Sequence, residues 1–174
     1  TGTELGNARV TMTRGIDAEA GEDGHVVLRV DGGSLQMFTE TGLRASVPDL
    51  PVRGTLDLTV AGTAIDVEAG QTGMLLQSGD VGGGAGPSVC ADVTGTTITT
   101  EGAAAGARAM RLRQFGSGVL GVARYPGTPY DEGTIASYLA GRNTLTGPGD
   151  VPSVVLEHPL ADPSPAACTQ PVLP

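Results

Sequence analysis

HVVLRVDGGSLQM (25–37), TLDLTVAGTAIDV (55–67) and VCADVTGTTIT (89–99) are three versions of one pattern. Aligned on Gly32, Gly62 and Gly95, apolar residues stand six, four and two positions before the glycine: Val26, Leu28 and Val30, then Leu56, Leu58 and Val60, then Val89, Ala91 and Val93. Another stands three positions after each glycine, at Leu35, Ile65 and Ile98. Alternation with period two is the signature of a strand with one buried face. A glycine between two such runs marks a turn whose backbone angles other residues avoid. The glycines lie 30 and then 33 residues apart, the spacing of a unit that buries its apolar face only against its neighbours. The pattern predicts an all-β chain, a parallel β-solenoid.

Working outward, residues 25–54, 55–88 and 89–116 read as three full coils, with a less regular first coil over 1–24 in which Val10 and Met12 alternate. Short apolar stretches at Leu43–Val47 and Met74–Leu76 supply another face of their coils. GDVGGGAGPS (79–88), with five glycines, reads as a loop. Past Gly118 the pattern changes, so the chain divides into coils over 1–118 and a C-terminal cap over 119–174. Within the cap, Ile135, Tyr138 and Leu139 fall at i, i+3 and i+4 in DEGTIASYLAGRN (131–143). This predicts a helix over about 132–141, capped by Asp131 and stopped by Gly141. Such a helix would cover the open apolar end of the last coil. SVVLEH (153–158) reads as one more strand, and the proline-rich tail after it as irregular.

Composition narrows the function classes. Aromatic residues make up 3% of the 174, with no Trp, so the core is aliphatic. Gly and Pro together are about a quarter of the chain, as a turn-rich β protein requires. The net charge is −9 and all ten basic residues are Arg, which argues against a nucleic-acid partner. The one basic cluster, Arg108, Arg111 and Arg113 in ARAMRLR, reads as the solvated face of a strand. No apolar run approaches the roughly 18 residues of a membrane span. Strand-like sequence begins almost at Thr1 without an amphipathic cap. Edge groups left open there predict further coils upstream or a neighbouring subunit.

Cys90 sits between the inward Val89 and Ala91, so it faces outward, where Cys168 of the irregular tail can reach it. A bridge would imply an oxidising compartment; the alternative is two free thiols. Zinc is not expected, because His25 and His158 share no ligand spacing with the cysteines, and no cofactor is expected.

The order of pieces from Ser88 to Gln170 resembles the C-terminal end of large secreted bacterial right-handed β-helix repeat proteins. The matching segments are VCADVTGTTIT, EGAAAGARAM (101–110), RLRQ (111–114), IASYLAGRN (135–143) and the terminal ACTQP (167–171), which cover roughly half the chain. The family's Asn after the turn glycine is replaced by Gly33, Thr63 and Thr96, so these turns must be satisfied in another way. The resemblance implies a right-handed β-helix at the cell exterior, structural or adhesive, and supplies no catalytic motif.

The enzymatic alternative is a polysaccharide hydrolase or lyase with carboxylates lining a groove. Glu68 and Glu101 both stand six residues after their repeat glycines. In-register strands lie about 4.8 Å apart, near the roughly 5–5.5 Å carboxylate separation of retaining glycosidases. Phe38 shares that register and could stack on a sugar, so Phe38, Glu68 and Glu101 form a candidate glycan site, with a cell-surface glycan as partner. Asp17, Glu19, Glu22 and Asp23 are oxygen ligands that could hold Ca²⁺, but without the spacing of a known calcium loop. The sequence thus predicts a non-catalytic extracellular β-helix that stacks end to end into a filament or surface layer.

Overall fold

The computed structural model describes residues 4–5, 9–12, 15–21, 23–37, 41–47, 54–68, 71–79, 88–102, 106–116, 118–126, 132–147, 152–157 and 168. The chain passes repeatedly through three positions. The first pass is β1 (Glu4–Leu5), β2 (Arg9–Met12) and β3 (Ile16–Glu19). The next is β4 (His25–Asp31), β5 (Ser34–Met37) and β6 (Leu43–Val47), followed by β7 (Thr55–Ala61), β8 (Ala64–Val67) and β9 (Thr72–Ser78). Then come β10 (Ser88–Thr94), β11 (Thr97–Thr100) and β12 (Arg108–Gln114). Last are β13 (Val119–Val122), α1 (Glu132–Arg142), β14 (Thr144–Thr146) and β15 (Val154–Glu157). Every third strand pairs, giving three five-stranded parallel sheets: β1-β4-β7-β10-β13, β2-β5-β8-β11-β14 and β3-β6-β9-β12-β15.

The register is the one the repeat predicts. Val26 pairs with Leu56 and Leu56 with Val89; Leu28, Leu58 and Ala91 form the next row, and Val30, Val60 and Val93 the third. On the second sheet Leu35, Ile65, Ile98 and Leu145 stack. On the third, Leu43, Met74, Met110 and Val154 do so. Leu56, Leu58, Val60, Ile65, Met74 and Ile98 are at most 1% exposed. Each such side chain contributes about 1.5–3 kcal/mol by leaving water, and stacking identical shapes lets an aliphatic core close without large rings.

Two corners set the sheets at an angle. Between the first and second sheets Gly32, Gly62 and Gly95 adopt φ of 67°, 59° and 59°, which a Cβ would penalise. The next residue does the work expected of the missing Asn. Thr63 Oγ1 donates to Ala61 O and Gly32 O, both at 3.1 Å, and Thr96 Oγ1 donates to Thr94 O at 3.2 Å. At the second corner Gly42, Gly73 and Ala109 enter the third sheet. A Cβ on Gly73 would lie 2.3 Å from Ile98 Cγ2 and 2.7 Å from Ala109 O. Ala109 is therefore fully buried beside Met110, and β12 begins inside the core before alternation resumes.

The region after residue 118 holds three strands rather than the single one expected near 153–158, because β13 and β14 extend the first two sheets. The helix spans Glu132–Arg142, so Gly141 lies inside it instead of ending it. Asp131, proposed as its cap, lies outside the described residues. Ile135 and Leu139 are buried and α1 packs on β10, β14 and β15. What stops the helix is Asn143: its Nδ2 donates to Leu139 O and Val93 O, and its Oδ1 accepts from Thr96 N, all at 3.0 Å. Thr144 N donates to Thr96 O as Thr97 N does to Thr63 O. Asn143 thus continues the column of Gly33, Thr63 and Thr96.

Candidate functional site

The C-terminal end is fastened at three points. Cys90 and Cys168 form a disulfide with Cα atoms 5.7 Å apart. Cys90 stands beside Gly121 in the first sheet, and Cys168 rests on that glycine: a Cβ there would come within 2.7 Å of both Cys168 Cβ and Sγ. Asp92, on the outer face of β10 and 8% exposed in its side chain, pairs with Arg142 at 2.8 Å and Arg124 at 3.4 Å. Arg142 also donates to Tyr138 Oη at 2.6 Å and sits over its ring, while Tyr138 meets Tyr125 edge-on. A buried carboxylate is tolerable only with such partners, so the helix end and the sheet are tied by charge as well as by apolar packing.

Glu68 and Glu101 directly follow β8 and β11. Thr100 pairs with Val67 and Glu101 N donates to Val67 O at 2.8 Å, so the two glutamates hold equivalent positions on adjacent strands. Glu68 is half-buried and Glu101 exposed. Phe38, the third member of that candidate group, lies outside the described residues, as does Glu22 of the acidic run. Asp17 and Glu19 are exposed on β3, and Asp17 is paired with Arg44 at 3.3 Å. Asp23 is exposed in the turn that follows. Among the described residues no three His, Cys, Asp or Glu side chains gather as a metal site.

The arginine strand differs from its expected solvated face. The side chains of Arg111 and Arg113 are only 16% and 30% exposed. Both grip Glu157 of β15: Arg111 Nη1 donates to Oε1 at 2.6 Å, and Arg113 Nε donates to Oε2. Arg111 Nη2 donates to Gly106 O. Burial lowers the pKa of the Arg111 guanidinium; Glu157 opposes that, and Arg113 and Arg108 add to it. Beside the pair is a cavity of about 260 Å³, lined among the described residues by Thr41, Gln71, Thr72, Leu75, Gly106, Arg111 and Arg113. RLRQ reveals the arginines, but Glu157 is 44 residues from Arg113, and only strand pairing brings it there.

Among the described residues no helix is long and apolar enough to cross a membrane. No protein-family model, curated protein or solved structure matches the chain.

Proposed function

We propose that the chain is a right-handed parallel β-helix acting as an extracellular structural or adhesive module, associating end to end through its first pass. The observation that carries this reading is the contrast between its two ends. The last pass is covered by α1 and fastened by Cys90–Cys168 and Asp92–Arg142. Among the described residues, β1, β2 and β3 are each paired on one side only. Unpaired strand edges recruit further strands, either additional coils or a second copy. The disulfide supports an oxidising compartment. Right-handedness follows the preferred sense of crossovers between parallel strands.

Electron microscopy and light scattering of the oxidised chain test the reading. End-to-end stacks that dissociate on Thr11→Pro, which removes an N–H from the open edge of β2, are expected. A monodisperse monomer whose first pass is protected in hydrogen exchange would overturn it. The matched positions of Glu68 and Glu101 favour one second reading, a glycan-binding or glycan-cleaving module. Release of reducing ends from a polysaccharide panel, abolished by Glu101→Gln, would establish that one.

A further inference from the structure

We propose that the cavity beside Arg111 and Arg113 on the third sheet is a binding site for a sugar acid, taken through its carboxylate. This does not depend on how copies of the chain assemble. The two arginines lie at i and i+2 of β12, so both side chains leave the same face of the strand. The protein already presents them with a carboxylate. Glu157 is held through both oxygens, the two-point arrangement that guanidinium groups favour with planar carboxylates.

Glu157 does not exhaust the cluster. Among the described residues, Arg113 Nη1 and Nη2 have no hydrogen-bond partner, and Arg113 lines the cavity. One carboxylate faces two guanidinium groups, and Arg108 stands on the same strand with no acidic partner among the described residues. A positive excess in a chain of net charge −9 is local, and partial burial strengthens its pull on an anion. The lowered pKa of Arg111 has the same origin, in burial and in the neighbouring cations.

The remaining walls define what the anion is attached to. A volume of about 260 Å³ is below the roughly 300–1,000 Å³ of drug-sized sites, so it admits one ring-sized molecule. Thr41, Thr72 and Gln71 offer hydroxyl and amide groups, and Leu75 offers one apolar wall. Hydroxyls on a compact ring bearing one carboxylate fit that lining.

Calorimetric titration of the whole oxidised chain with D-glucuronate, D-glucose and sodium sulfate at low salt tests the proposal. Glucuronate is expected to bind, glucose to give no signal at the same concentrations, and sulfate to bind more weakly than glucuronate. Arg113→Gln should weaken glucuronate about tenfold or more, the loss of charge-assisted donors. Gln71→Ala, at an exposed position, should weaken it by a smaller factor without disturbing the strand. Glu157→Gln, which removes the competing carboxylate, should tighten it severalfold. No binding to the wild-type chain at tens of millimolar, sulfate bound as well as glucuronate, or weaker binding in Glu157→Gln would each overturn the assignment. If Arg113→Gln does not fold, the Glu157→Gln and Gln71→Ala results stand alone.

Discussion

Reduction of Cys90–Cys168 should cost this chain a large part of its stability, and the amount follows from the loop it closes. The cysteines are 78 residues apart. Loop-closure entropy, −2.1 − 1.5R ln n, gives about 15 cal/mol/K for that length, or about 4.5 kcal/mol at 25 °C. In a domain of this size each kcal/mol moves the melting temperature by about 2–4 °C, so reduction should lower it by about 9–18 °C. The assay is thermal unfolding by circular dichroism with and without a phosphine reductant, with intact mass confirming the redox state. Asp92–Arg142 and the apolar face of α1 remain after reduction, so the reduced chain should still fold at room temperature. Gly121→Ala provides the structural control. Its Cβ would lie 2.7 Å from Cys168 Cβ and Sγ, so thiol titration should find two free cysteines in the variant under conditions that oxidise the parent. A shift below about 2 °C on reduction, or a Gly121→Ala chain that forms the bridge with an unchanged melting temperature, would refute the reasoning.

Three further outcomes are expected. Asp92→Asn leaves Arg142, 19% exposed in its side chain, without its anion; the loss should be about 3 kcal/mol, read in urea unfolding, with hydrogen-exchange protection of α1 falling first. Asn143→Ala orphans the N–H of the fully buried Thr96 and should cost about 2 kcal/mol. Asn143→Asp should cost more, because a carboxylate oxygen would then face the Leu139 and Val93 carbonyls; equal losses in the two variants would count against the orientation of the amide. Gly73→Ala drives a methyl into Ile98 Cγ2 and the Ala109 carbonyl. It should lower the urea midpoint by the equivalent of about 3 kcal/mol, at the upper end of the usual overpacking cost, whereas Gly62→Ala meets no atom within 4 Å and acts through its φ of 59° alone.

Much of the backbone plan is legible in the local pattern, because alternation and turn glycines are properties of a few consecutive residues. The three aligned glycines predicted the pairing of Val26, Leu56 and Val89 and of Leu35, Ile65 and Ile98, which the sheets contain. The helix is legible from Ile135, Tyr138 and Leu139 to within a residue of its end; what the local pattern does not show is the stop, since Gly141 has no positive φ and Asn143 makes hydrogen bonds to another pass. A signal was present, since Asn-Thr-Leu-Thr (143–146) repeats Thr-Thr-Ile-Thr (96–99). The helix before it masked the repeat, because its period of 3.6 interrupts the alternation on which the alignment rests.

The amino-acid sequence by itself determined the repeated strands before residue 118, their inward faces, the turn glycines and an outward Cys90, since each depends on neighbours within a few positions. Tertiary structure decided what meets across passes: Cys168 lying on Gly121, Asp92 between Arg142 and Arg124, and Glu157 clamped by Arg111 and Arg113. The members of these pairs are separated by 32 to 50 residues. Charge and size act through space, and only the stacking of parallel strands brings such distant side chains within a few ångströms of one another.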